Sequence, residues 1–555
     1  MRRPSNPSDP WRIGVALEGM WIPAWAVPVV ALLARAEWIS PVLLIPNPNQ
    51  ADGEDGPFGP GAGGHVFRAI ERKLFPIPED AEKRVPLDAV LDADARLPVV
   101  TLDPGDFGAR ADRVPDLDLV LDLSPLSWPV DLYRFSRSGA WICHSPGFDR
   151  IGPDRRGLRE VWENRPVTAV TLTALNTSGT PLTLARAWFQ TDPLSPQRNR
   201  SRLYWKAGSL IRRELDEGRL REHLQTPASA TSSTARESIP EEARDSGLVR
   251  SVFRTVRSIA KRKRDYWLYS DQWVLLYQRT SDPGLPSSLN DLQPIVPPSD
   301  RFWADPHVVE RDGTYYVFLE EYLYSTRLGH ISVMEIDNEG GYTDPVPVLK
   351  GDDHLSYPFV FEHEGDTYMV PETLARRSIE LYRCRRFPDQ WEFVHALISD
   401  IDAVDATLVA HGGRWWLFVS VRSDPGSTVS EDLYLYHADS PLSRDWTPHP
   451  ASPVVQDPRR ARPAGGLFER DGKLFRPGQI GVPRYGYGVV VHEITELSES
   501  AYDEQVVRSI VPDPDSSFEG SHTLSWAPGL IVMDAILRRR TNPLSPIGAR
   551  VLGKP

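Results

Sequence analysis

Residues 305–320 read DPHVVERDGTYYVFLE, and this stretch decides the fold. An alternating apolar segment leads into a polar turn closed by Asp312 and Gly313, and an aromatic segment follows. Because Asp-Gly between two alternating runs is a strong signal for a tight turn, the stretch predicts a β-hairpin.

The same pattern recurs four more times in the second half of the chain. The turn glycines are spaced by 52, 48, 59 and 57 residues, and they are Gly313, Gly365, Gly413, Gly472 and Gly529. A repeat of this length fits one four-stranded blade with its loops. The pattern therefore predicts an all-β five-bladed β-propeller over residues 268–540, closed into a ring without open sheet edges.

Polar residues near the start of each repeat point to one shared site. In a closed propeller the innermost strands begin around a central funnel, where their side chains converge. The residues at this position are Asp305, Tyr357, Asp405, Arg462 and His522. Each of them could instead be a capping or turn residue.

Length and composition limit the kind of protein. A chain of 555 residues predicts several domains, and a formal net charge of −13 argues against a general nucleic-acid binder. Cys143 and Cys384 have no metal-site spacing. The polar start lacks the apolar core of a secretion signal, and the longest apolar run, residues 22–34, is too short to span a bilayer. We therefore expect a cytoplasmic protein.

Residues 10–225 alternate between strand and helix patterns. We predict strands near residues 13–17, 41–45, 97–102, 117–123 and 139–146, and helices near 24–36, 66–74 and 204–224. This alternation favours a mostly parallel, Rossmann-type α/β domain.

Motifs in this domain resemble the formyltransferase family. The matching words, in family order, are His144-Ser145-Pro146, Trp162-Glu163, residues 167–171 and residues 179–182. The family has a catalytic Asn where this chain has Ile142, and a catalytic Asp near Thr177. Since formyl transfer needs a general base and a polarised carbonyl, the resemblance implies a degenerate site at His144 without formyltransferase activity. His144 could also be a strand-end histidine satisfied by backbone.

Residues 226–267 form a predicted linker followed by a basic helix. Val249, Val252 and Val256 recur at helical spacing, and seven basic residues ending at Arg264 lie between and after them without an acidic residue. Such a helix suits the surface of an anionic membrane, which would place the protein at the inner membrane face. An ordinary helix packed between two domains explains the pattern as well.

The propeller repeats contain distinctive short sequence motifs. They are residues 302–306 (FWADP), 354–358 (HLSYP), 404–408 (VDATL), 462–465 (RPAG), 476–479 (RPGQ) and 520–525 (GSHTLS). Together they resemble the amino-terminal domain of glucosamine inositolphosphorylceramide transferases, which implies a propeller in glycan or glycolipid synthesis. The plant enzymes carry a glycosyltransferase domain after this part. We expect this chain, which ends at Pro555, to lack that domain.

The repeats also resemble five-bladed glycoside hydrolases of the arabinanase and xylosidase type. That resemblance gives Asp305 the position of the base and Asp405 that of the residue tuning the acid's pKa. Arg462 stands near the position of the family's proton-donating Glu, and Glu372 or Glu519 could replace that acid. No metal site is assigned, because the acidic pair Asp400 and Asp402 is a pattern that arises readily by chance, and no cofactor is identified.

These observations leave three hypotheses. The first is an enzyme of bacterial-type surface-glycan or glycolipid biosynthesis that transfers a glycosyl or related group in the funnel. The second is a non-catalytic sugar-binding or scaffold protein, and the third is a glycoside hydrolase. The candidate catalytic residues are Asp305, Asp405 and Glu372, and the candidate substrate-binding residues are Tyr357, Arg462, Gln479, His522 and His354. Arg462 favours an anionic sugar derivative, because guanidinium pairs well with phosphate and carboxylate.

Overall fold

The computed structural model describes residues 9–46, 71, 73–91, 97–102, 116–124, 134, 136–144, 157–225, 257, 260, 264, 268–280 and 285–540. The chain divides into two compact units. One consists of Met1–Thr255 with Ser423–Ser427, and the other of Val256–Arg422 with Thr428–Pro555.

The first unit is built on a mixed sheet. Its strands are β1 (Trp11–Ala16), β2 (Trp21–Pro23), β3 (Ile39–Pro46), β4 (Arg84–Pro86), β5 (Val99–Leu102), β6 (Leu119–Asp122), β7 (Ala140–His144), β8 (Val167–Leu175) and β9 (Pro181–Gln190). Seven strands form one sheet in the order β5-β3-β1-β6-β7-β8-β9, and β2 pairs with β4. The first five run parallel, whereas β8 and β9 are antiparallel. The expected mostly parallel sheet is thus a mixed one.

The helices of this unit supply much of its core. They are α1 (Val27–Arg35), α2 (Leu158–Trp162), α3 (Pro196–Glu214) and α4 (Glu217–Gln225). The predicted helix over residues 204–224 is wrong in its start, because Ser195 caps α3 by accepting a hydrogen bond from Arg198 N at 3.1 Å. It is also two helices, which are separated after Glu214.

Five antiparallel sheets form the second unit. Its first two strands are β10 (Tyr269–Arg279) and β11 (Gln293–Ile295). The first blade contains β12 (Arg301–Arg311), β13 (Thr314–Leu323), β14 (Leu328–Ile336) and β15 (Val346–Leu349). The second contains β16 (Ser356–His363), β17 (Asp366–Glu372), β18 (Ser378–Arg386) and β19 (Gln390–Ser399).

The remaining strands complete the ring. The third blade contains β20 (Ala403–His411), β21 (Arg414–Val421), β22 (Asp432–Ala438), β23 (Thr447–Pro448) and β24 (Val455–Gln456). The fourth contains β25 (Phe468–Arg470), β26 (Lys473–Ile480), β27 (Gly488–Leu497) and β28 (Tyr502–Ile510). The closing blade joins β10 and β11 to β29 (Leu524–Ala527) and β30 (Leu530–Arg540). The predicted five-bladed propeller is confirmed, and each repeat supplies two neighbouring strands of a separate blade.

The ring is closed by pairing the two ends of the propeller. β10 and β30 are antiparallel over eleven residue pairs, from Tyr269↔Arg540 to Arg279↔Leu530. Strand β12 contacts both β16 and β29, so the leading strands of neighbouring blades lie next to one another around the ring. The leading strands therefore line the funnel, as the repeat pattern predicts.

Two sequence-based predictions fall largely outside the described residues. The linker and basic helix over residues 226–267 are among them, apart from helical positions 257, 260 and 264. The short helix predicted over residues 66–74 is described only at positions 71, 73 and 74, all helical. Of the helices in the described ranges, none has both the length and the apolar character needed to cross a bilayer.

Candidate functional site

Three blades have the same backbone conformation at the funnel, a left-handed residue at a register shift. Asp305, Tyr357 and Asp405 have left-handed φ values of 49°, 42° and 56°. At each of them the register between the first two strands of the blade shifts, as it does at a β-bulge. Left-handed backbone is strained for residues other than glycine, and such strain concentrates at functional sites. The three side chains are buried, being 5%, 3% and 1% exposed.

Asp305 connects the first blade to two other blades. Its Oδ1 accepts a hydrogen bond from Thr523 Oγ1 at 2.8 Å, and its backbone N donates to Asp534 Oδ2 at 3.1 Å. Its Oδ2 accepts from the backbone N of Tyr357 at 3.3 Å. The carboxylate is thus held by the closing blade on one side and the second blade on the other.

His522 lies between two carboxylates. Its Nδ1 is 2.5 Å from Asp534 Oδ2, and its Nε2 is 3.6 Å from Asp305 Oδ1. The ring of Trp273 stacks on the imidazole with centroids 4.1 Å apart. Burial alone would lower the pKa of His522, but the charges of Asp534 and Asp305 raise it above its usual value.

The same three residues could hold a metal ion. Asp305, His522 and Asp534 each offer one ligand atom, and these atoms lie within 4.8 Å of one another. One imidazole and two carboxylates make a ligand set that divalent metals accept. Asp305 lies more than two hundred positions before His522 and Asp534, so no local sequence motif marks this group.

A second group of polar side chains surrounds Asp405. Arg462 donates from Nε to Asp405 Oδ2 at 2.6 Å and from Nη2 to Oδ1 at 3.1 Å, and its Nη2 is 3.4 Å from Glu372 Oε2. Gln479 Nε2 donates to Asp405 Oδ2 at 2.8 Å and to Pro463 O at 2.9 Å. The Oε1 of Gln479 is buried without a hydrogen-bond partner. Since buried polar atoms are normally paired, this oxygen is an exception within the group.

Tyr357 joins the two groups. Its hydroxyl lies 2.8 Å from Thr407 Oγ1 and accepts from Gly465 N at 2.8 Å, while its backbone N binds Asp305. The side chain therefore extends from the second blade to the third blade and to the segment before the fourth.

Burial and mutual repulsion raise the pKa of several funnel carboxyls. Burial raises the pKa of Asp305 to about 6; the charge of His522 opposes this rise, whereas Asp405 and Asp534 reinforce it. Burial, followed by the charge of Asp405, raises the pKa of Glu372 well above its usual value. These environments favour the neutral, proton-donating form of Glu372.

His354 reaches this network through Glu320. The His354 ring accepts a hydrogen bond from Gly329 N at Nδ1 and holds Nε2 3.3 Å from Glu320 Oε1. Burial and the nearby charge of Asp305 raise the pKa of Glu320 well above its usual value. The His354 side chain is 40% exposed, so it lies at the accessible side of the network.

The eight predicted propeller residues therefore converge. Seven of them contact one another directly or through one shared neighbour, and His354 joins through Glu320. Their catalytic and binding roles stay predictions. Glu519 pairs instead with Arg484 and Arg538, at 3.7 and 3.3 Å, and Asp400 and Asp402 pair with Arg377.

The candidate residues of the first unit lie on strand β7 and in the turn after β8. His144 is the last residue of β7, where its backbone is in register with Thr171 of β8. Ile142 is half-buried in the same strand, and Thr177 is exposed in the turn after β8.

Sequence reasoning missed Asp534, Thr523, Glu320, Trp273 and Tyr485. A signal for Glu320 was present, because the residue seven positions after a turn glycine enters the funnel network in three repeats: Glu320, Glu372 and Gln479. The equivalent residue of the third repeat is the buried Ser420. Tyr485 lies in a loop between β26 and β27 and has no repeat position.

Residues 292–521 match the family model described as "Glucosamine inositolphosphorylceramide transferase 1, N-terminal". The curated protein "Glucosamine inositolphosphorylceramide transferase 1" of Oryza sativa subsp. japonica is 34% identical over 206 residues, which cover 37% of this chain and 27% of the relative. Its counterpart in Arabidopsis thaliana is 33% identical over the same length. The chain thus matches about a quarter of these relatives' length. The resemblance expected for the propeller is confirmed, whereas the formyltransferase resemblance stays a prediction.

Solved structures similar to this chain are glycoside hydrolases. Zg3597, a family 117 glycoside hydrolase from Zobellia galactanivorans, has a TM-score of 0.32 at 11% identity, covering 48% of this chain and 90% of that one. The catalytic domain of the Coprinopsis cinerea GH62 α-L-arabinofuranosidase has a TM-score of 0.33 at 13% identity, covering 48% and 96%. Such low identities and scores carry no information about activity.

Proposed function

We propose that the protein is a transferase of surface-glycan or glycolipid synthesis that binds its sugar substrate in the propeller funnel. One observation carries this proposal: left-handed bulges in three blades direct Asp305, Tyr357 and Asp405 into one network of buried acids and bases. Strained residues aimed at a shared concavity are typical of a built site. The names of the relatives, which are transferases acting on a sphingolipid, support the same reaction class.

The charges around the funnel favour a neutral or positively charged sugar. The network contains the carboxyls of Asp305, Glu320, Glu372, Asp405 and Asp534, and opposite them Arg462 and His522. The sequence-based expectation of an anionic ligand rested on Arg462, but that guanidinium is engaged by Asp405 and Glu372. An amino sugar would place its ammonium group beside carboxyl oxygens that can accept hydrogen bonds from it, and the relatives' names mention glucosamine.

Two carboxyls suit acid–base work on such a substrate. Asp305 has a pKa of about 6, close to neutral pH, which suits a general base that takes a proton from an acceptor hydroxyl. Glu372 is held toward its neutral form and suits a proton donor. Arg462 and Gln479 fix Asp405 and so shape the wall between the two groups.

A non-catalytic sugar-binding role is the second candidate. It is favoured by the full pairing of Asp405, whose two carboxylate oxygens already accept three hydrogen bonds. Glycoside hydrolysis is a third candidate, since Asp305 and Glu372 would supply the two carboxyls that this reaction requires.

One set of assays separates these functions. Purified protein would be incubated with a panel of sugar nucleotides and with lipid or oligosaccharide acceptors, and with aryl glycosides for hydrolysis. We expect glycosyl transfer that is lost in Asp305→Asn, a variant that keeps the shape of the side chain. Sugar binding without turnover in either protein would favour the binding role, and absence of sugar binding in the folded wild type would refute a funnel substrate site.

We also propose that the protein works at the cytoplasmic face of a membrane through residues 249–264. The support is the run of seven basic residues in this segment. Co-sedimentation with vesicles containing phosphatidylserine, compared with neutral vesicles, tests this proposal. Equal sedimentation with both would refute it.

A further inference from the structure

Tyr485 is an exposed aromatic residue that contacts both cationic groups of the funnel. The guanidinium of Arg462 lies 5.2 Å from the centroid of its ring, and the imidazole of His522 meets the ring edge-on at 5.2 Å. Trp273, which stacks on His522, is 6.4 Å from the same ring. Despite these contacts, Tyr485 is 46% exposed.

Exposure and burial at Tyr485 together indicate a recess. Arg462, His522 and Trp273 contact the Tyr485 ring from the protein, yet nearly half of the residue is accessible to solvent. Contact with protein on several sides and access to solvent on one side are both expected for a side chain that lines a concavity. A large ring left open at such a place is typical of a ligand-binding surface.

The loop that carries Tyr485 is held in place at both ends and in its middle. Gly481 N donates to Pro458 O at 2.8 Å, and Tyr487 N donates to Ile480 O at 3.2 Å. Gly486 has a φ of 67°, and a Cβ there would lie 2.6 Å from the Trp273 ring. The loop therefore fits only with glycine at this position, and the Tyr485 ring needs little ordering when a ligand binds.

We propose that Tyr485 is a stacking platform for a pyranose ring at the entrance to the funnel. The apolar C–H face of the sugar packs on the exposed part of the tyrosine ring, and its polar substituents reach the carboxyl groups beyond. Aromatic rings provide large, rigid apolar contact area at low entropic cost, which suits a ligand whose other contacts are polar. This inference rests on the proposed function, since it assumes that the funnel binds a sugar.

The test compares three variants of the full chain with D-glucosamine as the probe. Tyr485→Ala removes the platform, Tyr485→Phe keeps the ring without the hydroxyl, and Tyr342→Ala removes a tyrosine that is 52% exposed after β14, outside the network. We expect calorimetry to show binding weakened by about tenfold in Tyr485→Ala and nearly unchanged in the other two. Saturation-transfer NMR of the bound sugar should lose the signals of its ring C–H protons in Tyr485→Ala alone.

Each outcome decides between the two proposals. If the wild type binds glucosamine and Asp305→Asn weakens binding but Tyr485→Ala does not, the platform is refuted and the funnel site stands. If Tyr342→Ala weakens binding as much as Tyr485→Ala, the effect is not specific and the platform is also refuted. If the folded wild type binds neither glucosamine nor glucose, the proposed function fails and the platform with it. If Tyr485→Ala melts at a much lower temperature than the wild type, Tyr485→Leu takes its place in the comparison, because leucine keeps apolar bulk without a ring.

Discussion

Arg462 and Asp405 form a two-point ion pair between the third blade and the segment leading into the fourth. The two donor–acceptor distances are 2.6 and 3.1 Å, and the side chains are 11% and 0% exposed. Gln479 binds the same carboxylate from β26. The pair thus fastens neighbouring blades at the funnel wall and partly neutralises an acidic site.

Removing the guanidinium should therefore destabilise the propeller. Arg462→Ala leaves the carboxyls of Asp405 and Glu372 buried without a cation, and breaking a buried pair in this way costs roughly 3–5 kcal/mol. Urea unfolding followed by tryptophan fluorescence should show a lower midpoint. Arg377→Ala, which removes an exposed guanidinium paired with Asp400 and Asp402, is the matched control and should leave the midpoint nearly unchanged. Equal midpoints for wild type and Arg462→Ala would contradict the prediction.

A second prediction concerns pH and Asp305. Its pKa rises from 3.8 to about 6 on folding, so the folded protein holds this proton more tightly than the unfolded chain. The contribution of Asp305 to the free energy of unfolding is present below pH 4. It is lost as the pH rises from about 4 to about 6. Relative to Asp305→Asn, the wild type should thus lose about 2 kcal/mol of unfolding free energy between pH 4 and pH 7. A difference between the two proteins that is the same at both pH values would show that the pKa of Asp305 is not raised.

The closing blade allows a third prediction. Asp271 of β10 and Arg538 of β30 are opposite each other in register, and antiparallel partners lie about 4.5–5.5 Å apart, within disulfide range. Asp271→Cys combined with Arg538→Cys should form a disulfide that locks the ring and stabilises the oxidised protein by roughly 3 kcal/mol. Thermal melts with and without dithiothreitol measure the gain. If the oxidised and reduced double variant melt at the same temperature, separation of β10 from β30 does not limit unfolding, and the prediction is wrong.

The fourth prediction concerns the first unit. The resemblance to formyltransferases predicted from the sequence would place Ile142 and Thr177 at the positions of polar catalytic groups, and neither can act as a general base. Purified protein should therefore transfer no formyl group from a folate donor to an amino sugar. Formyl transfer that disappears in His144→Ala would show that this unit is active.

Much of the propeller could be predicted because its information is local. The Asp-Gly turn at Gly313 and its four copies fix hairpins through backbone conformation and alternation, and these are properties of a few neighbouring residues. The antiparallel direction of β8 and β9 was not predictable in the same way. Strand direction depends on how the chain returns to the sheet, and alternation patterns do not encode that.

The site could be predicted only in part, for a related reason. Asp305 and Asp405 were recognisable from their repeat positions, and His522 from its motif. Asp534 was not, because its role comes from pairing across the ring closure with residues more than two hundred positions earlier. The engagement of Arg462 by Asp405 could not be predicted for the same reason, and it is the basis of our proposal that the ligand is neutral or positively charged.

The position of Asp305, His522 and Asp534 has a consequence for synthesis of the protein. Asp305 belongs to the first blade, whereas His522 and Asp534 belong to the closing blade, whose last strand is β30. A nascent chain that has left the ribosome as far as the fourth blade already carries Asp305, Asp405 and Arg462, but it lacks His522 and Asp534. The funnel therefore acquires its full set of groups only after the closing blade has been translated, and a chain that stops before this blade cannot perform chemistry that depends on them.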